Sequence, residues 1–575
     1  MAAIEVSVRR ALLRLLVAAA ALLGGAPSTA DRPRQTTRPP NILLIVADDL
    51  GFSDLGSFGG EIRTPHLDAI ARRGVRLTGF YTSSTCSPTR AMLLTGVDNH
   101  KVGLGSMAEL LTPEQRGALG YEGYLNERAA TLAERLKMAG FDTMMTGKWH
   151  LGRRRGQFPS DRGFDRSFAL LQGDHNHFGY DQGPAYRMVG AGRDYVLNGQ
   201  PAYFPLGVYG DDYFTTKLIE FLKQRQAQRP FFAYLAFTGP HWPLQAPAED
   251  IARYRHHYDA GPVVVQKARL ERMKRLGIVK DDVVPYPVDA AAWNRMGPLE
   301  KSIQLRKMEV YAAMVDRLDQ NVGRIIDYLK RSGQLDNTII IFLSDNGAEG
   351  YPIEHPFDLP QPGKVAGTSI DNSLESVGTA RSYTGTGHLW AQVSSTPFRG
   401  VKLDMTEGGI HTPAIIAGPG VRSAKLNGTV THVTDVVSTV LDLVHASVER
   451  VVKGKPVIAP EGRSWIDLLA GRVSEVRSER DMVGWELLYR RAVRVGRWKA
   501  VFQPSLIPLF KEHTPLDQVH WQLFDLKHDP GEIHDLAAEQ PQRLNAMRRE
   551  WERYAARNSV VLPGRAFAKT SGDTR

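Results

Sequence analysis

Short, unbroken apolar runs punctuate this chain, and each stops at polar or acidic residues. Asn41-Ile42-Leu43-Leu44-Ile45-Val46 closes on Asp48-Asp49. Asp142–Thr146 closes on Gly147-Lys148-Trp149-His150, Phe231–Phe237 on Gly239-Pro240-His241, and Asn337–Leu343 on Asp345-Asn346. Runs of this length without alternation predict strands buried on both faces, as in a parallel sheet. Pro413–Ile416 predicts a further strand. Between these runs the period changes. Residues 308, 311, 315, 318, 322 and 325 put apolar side chains in helical register, predicting a long amphipathic helix over Ile303–Leu329. Shorter helices are predicted over Thr131–Met138, Tyr213–Lys223 and Asp435–Leu443.

Strands alternating with helices predict an α/β fold with a large, mostly parallel sheet flanked by helices. The polar motifs repeatedly follow strand C-terminal ends, where open α/β sheets bind ligands. Turn chemistry also recruits Asp, Asn and Gly, and is the plainer reading of any one motif. After about residue 470 the pattern changes. Arg491–Phe502, turning at Gly496-Arg497, and Trp521–Leu526 predict an antiparallel sheet, with a helix over Arg543–Ala556 packed on it. The expected organisation is a signal peptide (1–30), a polar linker (31–40), a catalytic domain (41–470), a small C-terminal α+β subdomain (471–568) and a disordered tail (569–575). Residues 245–300 are expected to be a loop-rich insertion.

At 575 residues, 42% hydrophobic and 23% charged, the chain is long enough for a large core and two domains. Its net charge of +10 suits attraction of anionic substrates and equally an arginine-rich surface. No basic run is interleaved with aromatics, so nucleic acid is not an expected partner. Arg9, Arg10 and Arg14 precede the apolar run Leu15–Leu23, and Ser28-Thr29-Ala30 resembles a cleavage site. That run is too short to span a bilayer, and no other stretch is long and apolar enough. Export without disulfides suits the bacterial periplasm or secretion.

Cys86 is the only cysteine, so its place in the chain rests on packing, reactivity or modification. It opens Cys86-Ser87-Pro88-Thr89-Arg90 and runs on to Leu93-Leu94-Thr95-Gly96. At the strand ends, Asp48, Asp49, Asp345 and Asn346 offer three carboxylates and an amide, an all-oxygen set suited to a hard cation. Taken singly, Lys148 and Lys402 also read as surface lysines, and His150 and His241 as packed core histidines.

In combination these motifs resemble the sulfatase family of the alkaline phosphatase superfamily. They comprise the cysteine signature, Gly-Lys-Trp-His, Gly-Pro-His, Asp-Asn-Gly and the segment Arg399-Gly400-Val401-Lys402. The resemblance covers roughly residues 40 to 540 and looks closest to bacterial arylsulfatases. It implies an alkaline-phosphatase-like fold and a formylglycine made from Cys86 by a maturation enzyme. It implies one Ca²⁺ held by Asp48, Asp49, Asp345, Asn346 and residue 86. The implied activity is hydrolysis of a small-molecule or carbohydrate sulfate ester to alcohol or phenol plus sulfate. Its implied roles are residue 86 as nucleophile, held by Ca²⁺ and Arg90, and Lys148 and Lys402 as clamps on the sulfate oxygens. His241, with Lys402, serves the leaving oxygen, and His150 takes the later proton. In phosphoester hydrolases of the superfamily histidine stands where Asn346 is, so the amide favours sulfate chemistry. The rival readings are a phosphodiesterase or phosphonate monoester hydrolase using the same aldehyde, and a non-catalytic sulfate- or carbohydrate-binding protein if Cys86 stays unconverted. Substrate choice is expected from residues 170–210, 245–300 and 351–390.

Overall fold

The computed structural model describes residues 38–181, 194–351, 364–365, 368–421, 425–505 and 518–562. The expected signal peptide and tail, and the linker up to residue 37, lie outside the described residues. The main sheet has eleven strands. They are β1 (Asn41–Ala47), β2 (Val75–Tyr81), β3 (Asp142–Lys148), β4 (Arg166–Leu170), β5 (Tyr195–Leu197), β6 (Gln200–Ala202), β7 (Phe231–Ala236), β8 (Thr338–Ser344), β9 (His411–Ala417), β10 (Lys425–Asn427) and β11 (Thr431–His432). Their order is β10-β2-β9-β8-β1-β7-β3-β4-β5-β6, with β11 also beside β2. The centre, β8-β1-β7-β3-β4, is parallel, and β9 runs antiparallel to both its neighbours.

The unbroken apolar runs are explained by two cores, one on each face of the sheet. In β1, Leu43, Ile45 and Ala47 enter one core, and Ile42, Leu44 and Val46 the other. The period-two alternation of a strand is present, but both faces are dry and so no polar residue marks it. The first core is roofed by α3 (Gly210–Gln224), α4 (Pro262–Arg275) and α5 (Pro298–Arg331). Met308, Tyr311, Val315, Leu318, Val322 and Ile325 of α5 are buried there. The second core is covered by α1 (Cys86–Thr95), α2 (Leu132–Met138) and α6 (Asp435–Leu443). Helix α2 starts at a reciprocal cap. The Thr131 hydroxyl accepts from Glu134 N at 3.0 Å, and the Glu134 carboxylate accepts from Thr131 N at 2.8 Å.

Residues 245–300 are loop only in part, at 254–261 and 276–289. They hold helices at Ala248–Arg253 and Ala290–Arg295, all of α4 and the first residues of α5. Helix α4 buries Val265, Arg269, Leu270 and Met273 but exposes Val263 and Val264, which blurs its period. Among the described residues no helix is long and apolar enough to cross a membrane.

The chain from Pro40 onward forms one compact unit. Within it, β12 (Met482–Leu487), β13 (Arg490–Val495), β14 (Trp498–Phe502) and β15 (Gln522–Asp525) make an antiparallel sheet in sequence order. One face, with Ala492 and Val501, packs on Tyr81, Leu403, Met405 and Ile410. The other, with Val493 and Ala500, packs on Met547, Trp551 and Tyr554 of α7 (Pro541–Asn558). A buried polar contact joins this region to the main body. His100 Nδ1 lies 2.9 Å from Asp98, and its Nε2 lies 3.4 Å from Glu486 of β12.

Burial disfavours a charged His100, but Asp98 and Glu486 outweigh it and raise its pKa to about 9. A group whose folded pKa is raised stabilises the fold fully below its unfolded pKa, and that contribution is lost as pH rises through the folded value. The urea midpoint should therefore fall between the ordinary value of 6.5 and about 9, by up to about 3 kcal/mol in stability. His100→Gln should flatten that slope, and denaturation at several pH values checks it.

Candidate functional site

Parallel register brings the strand-end motifs together. Val46 pairs with Ala236 and Ala47 with Ser344, while Gly147 pairs with Ala236. The adjacent strands β8, β1, β7 and β3 thus deliver Asp345-Asn346, Asp48-Asp49, His241 and Lys148 to one edge. Gly147 is what lets β3 close on β7. Its φ is +104°, and a Cβ there would lie 1.7 Å from the Ala236 carbonyl oxygen. From the second core, α1 brings Cys86 in its first turn and Arg90 one turn later. The loop before β9 brings Lys402.

All of these side chains are buried; Cys86 is 1% exposed. The readings of Lys148 and Lys402 as surface lysines are excluded. The Cys86 Sγ, one carboxylate oxygen each of Asp48 and Asp49, and a ring nitrogen of His241 lie within 4.8 Å of one another. Arg90 donates from Nε to Asp345 at 2.8 Å and from Nη1 to the Lys148 carbonyl at 3.0 Å. Its Nη2 lies 2.7 Å from Asp345 and 3.4 Å from Asp48. Lys148 donates to both Asp48 oxygens, at 2.9 and 2.6 Å. Lys402 donates to Asp49 at 2.9 Å and lies 3.2 Å from Glu349. Asn346 donates from Nδ2 to Asp49 at 2.7 Å, while its carbonyl Oδ1 is buried without a hydrogen-bond partner.

That Oδ1 is the test of a metal site. A buried amide oxygen with no donor, beside the carboxylates Asp48, Asp49 and Asp345, is a set that fits a hard divalent cation. The electrostatics agree. Burial, reinforced by Asp345 and Asp49, pushes the Asp48 carboxyl up against the pull of Lys148 and Arg90, and a divalent cation would relieve that crowding. Burial also pushes the Cys86 thiol up to about 12, despite Lys148 and Lys402. At neutral pH an unmodified Cys86 is a thiol and a poor nucleophile.

The histidines differ in setting. His241 Nδ1 lies 2.7 Å from the Trp242 carbonyl, which only accepts, so the ring's proton sits on Nδ1. Its Nε2 is 3.6 Å from Asp49. Burial, Lys402 and Lys148 hold its pKa well below the ordinary value. His150 stands apart, with Nε2 3.5 Å from Glu109 and no hydrogen bond to the other predicted residues among those described. Burial keeps it neutral against Glu109.

Three neighbours went unassigned from sequence. Glu349 shares Lys402 with Asp49 and lies three residues past Asn346, in the same run. His177 donates from Nε2 to the His241 carbonyl at 2.9 Å, and Glu109 faces His150. No local pattern marks the last two.

The sequence profile of the family described as Sulfatase matches residues 40–446. An uncharacterized sulfatase of Schizosaccharomyces pombe is 44% identical over 540 residues, covering 91% of this chain and 95% of its own. An arylsulfatase of Klebsiella aerogenes is 36% identical, covering 81% of this chain and 98% of its own. The solved structure of Ps i-CgsB in complex with k-i-k-neocarrahexaose shares the fold at a TM-score of 0.63 and 24% identity, over 93% of this chain and 96% of that one. A phosphonate monoester hydrolase of Agrobacterium radiobacter shares it at 0.53 and 19%, over 90% and 96%.

Removing Arg90 leaves Asp345 and Asp48 buried beside one another without their guanidinium. Arg90→Met should cost about 3–5 kcal/mol, the range for breaking a buried ion pair. A drop in the denaturant midpoint of the purified protein checks it.

Proposed function

The chain belongs to the sulfatase family and is a sulfuric ester hydrolase; we propose that it acts on sulfate monoesters through a formylglycine at position 86 and a Ca²⁺ ion. The observation that carries this reading is Cys86 itself, a buried cysteine set at 1% exposure among Asp48, Asp49, His241 and two lysines. A structural thiol does not need that company, and a thiolate nucleophile would be left as a thiosulfate with no easy exit.

When present, formylglycine supplies a hydrate with one hydroxyl to attack sulfur and a second whose deprotonation later releases sulfate. Asp48, Asp49, Asp345, Asn346 and residue 86 would hold the Ca²⁺, which would supply positive charge to the site. The chain's own groups do the rest. Arg90 fixes Asp345 and Asp48 and so the shape of the oxygen cage. Lys148 and Lys402, held protonated by Asp48 and Asp49 against burial, clamp the sulfuryl oxygens. Lys402 carries a proton at the leaving oxygen. His241, with its Nδ1 proton committed to Trp242, offers a bare Nε2 that becomes an acid once an anionic ester raises its pKa. His150, neutral and backed by Glu109, takes the proton when sulfate is released. The amide of Asn346 favours a hard ion over a transition metal, which supports sulfate over phosphonate esters. Export, directed by residues 1–30, belongs to the same proposal.

The tryptic peptide Leu77–Arg90 from protein made in its own host should weigh what an aldehyde in place of the thiol requires. Cys86→Ala and Cys86→Ser should fold and lose sulfatase turnover. Wild-type activity in either would overturn the nucleophile assignment, and a preference for phosphodiesters or phosphonates would overturn the substrate class. Chelation should abolish turnover and Ca²⁺ restore it better than Zn²⁺. Asn346→His should reverse that order, as measured by metal content and rate.

A further inference from the structure

The loop that carries Lys402 is gripped from the far side by the C-terminal sheet. Leu403, next to Lys402, has a φ of +71°. A leucine keeps this left-handed conformation only where its surroundings impose it. Here they do so from both ends of the residue. Leu403 N donates to the Ser84 carbonyl at 2.7 Å, two residues before Cys86. The Leu403 carbonyl accepts from Arg490 Nη1 at 3.1 Å. Arg490 opens β13 and is 5% exposed. The same Nη1 donates to Asp404 Oδ1 and, at 2.9 Å, to the Tyr351 hydroxyl, while Nε donates to the Pro504 carbonyl at 2.9 Å. Gln503 completes the grip. Its Nε2 donates to Asp404 at 2.8 Å, and its Oε1 accepts from Met405 N at 2.9 Å. Asp404 Oδ2 in turn accepts from Val401 N at 2.9 Å, so this carboxylate ties the residue before Lys402 to the Arg490 that holds the residue after it.

We propose that Arg490 is a positioning residue for Lys402. By holding Leu403 in its left-handed turn and Asp404 in its bonds, it sets where the Lys402 ammonium stands relative to the ester's leaving oxygen. Gln503 assists. Neither touches the reacting atoms. The inference rests on the role given to Lys402 above, so its test carries Lys402 itself as the reference.

The measurement is kcat and kcat/KM over aryl sulfates whose phenols span a wide range of acidity, from 4-nitrophenyl to unsubstituted phenyl sulfate. It is made on formylglycine-containing wild type, Lys402→Ala, Arg490→Gln and Arg490→Lys. A displaced Lys402 matters most where the leaving oxygen most needs a proton. Arg490→Gln should lose little on 4-nitrophenyl sulfate and about 10- to 100-fold on phenyl sulfate, the cost of a small misplacement. Its slope should follow that of Lys402→Ala, and Arg490→Lys should fall between it and wild type. A loss in Arg490→Gln equal across the series, or none, while Lys402→Ala steepens the slope, would overturn the inference and leave the function standing. A flat Lys402→Ala profile would overturn the role of Lys402 and the inference with it. If Arg490→Gln does not fold, Gln503→Met, which leaves every Arg490 bond in place, should show the same steepening in milder form. A uniform loss there would overturn the proposal.

Discussion

Asp48, Asp49 and Asp345 are carboxylates with no measurable access to water, and a dry interior tolerates such a cluster only where cations reach each of them. Arg90 reaches Asp345, Lys148 reaches Asp48, and Lys402 reaches Asp49. The three cations come from three different places: a helix on one face of the sheet, the end of a neighbouring strand, and a loop leading into an antiparallel strand. Charge balance at the strand ends therefore ties together elements from three parts of the chain. The close approach of β3 to β7 at Gly147 puts the Lys148 ammonium within reach of Asp48.

The same balance bears on chemistry. With the amide oxygen of Asn346 unpartnered, the cluster has a place for one more positive charge. The lysines meanwhile are engaged by protein carboxylates, Lys148 by Asp48 and Lys402 by Asp49 and Glu349. Burial and the same lysines hold the pKa of His241 well below the ordinary value, so its protonation is sensitive to the charge around it.

Much of this was legible in the sequence because burial on both faces leaves its mark. Strands β1, β7 and β8 appear as unbroken apolar runs, and their polar stops are the residues that gather at the site. The resemblance to sulfatases supplied the partners that no spacing gives. What escaped did so for physical reasons. All ten residues of the helix that starts at Cys86 are buried, so it has no polar face and no helical period to read. In β2, Arg76 and Thr78 are only half-buried and Gly79 interrupts the run, so it does not look like an inner strand. Glu109, His177, Arg490 and Gln503 matter through partners far away in the chain, and no local pattern announces such contacts.

The C-terminal sheet grips both walls of the site, the Lys402 loop through Arg490 and Gln503, and the turn before Cys86 through Trp485, whose Nε1 donates to the Thr82 carbonyl at 2.8 Å. Thr82 and Trp485 are 403 positions apart in the chain. Synthesis runs from the N-terminus, so Cys86 is made long before the strands that hold these two walls. The order of synthesis therefore leaves the turn before Cys86 without its Trp485 contact, and the Lys402 loop without Arg490 and Gln503, until the last strands are made.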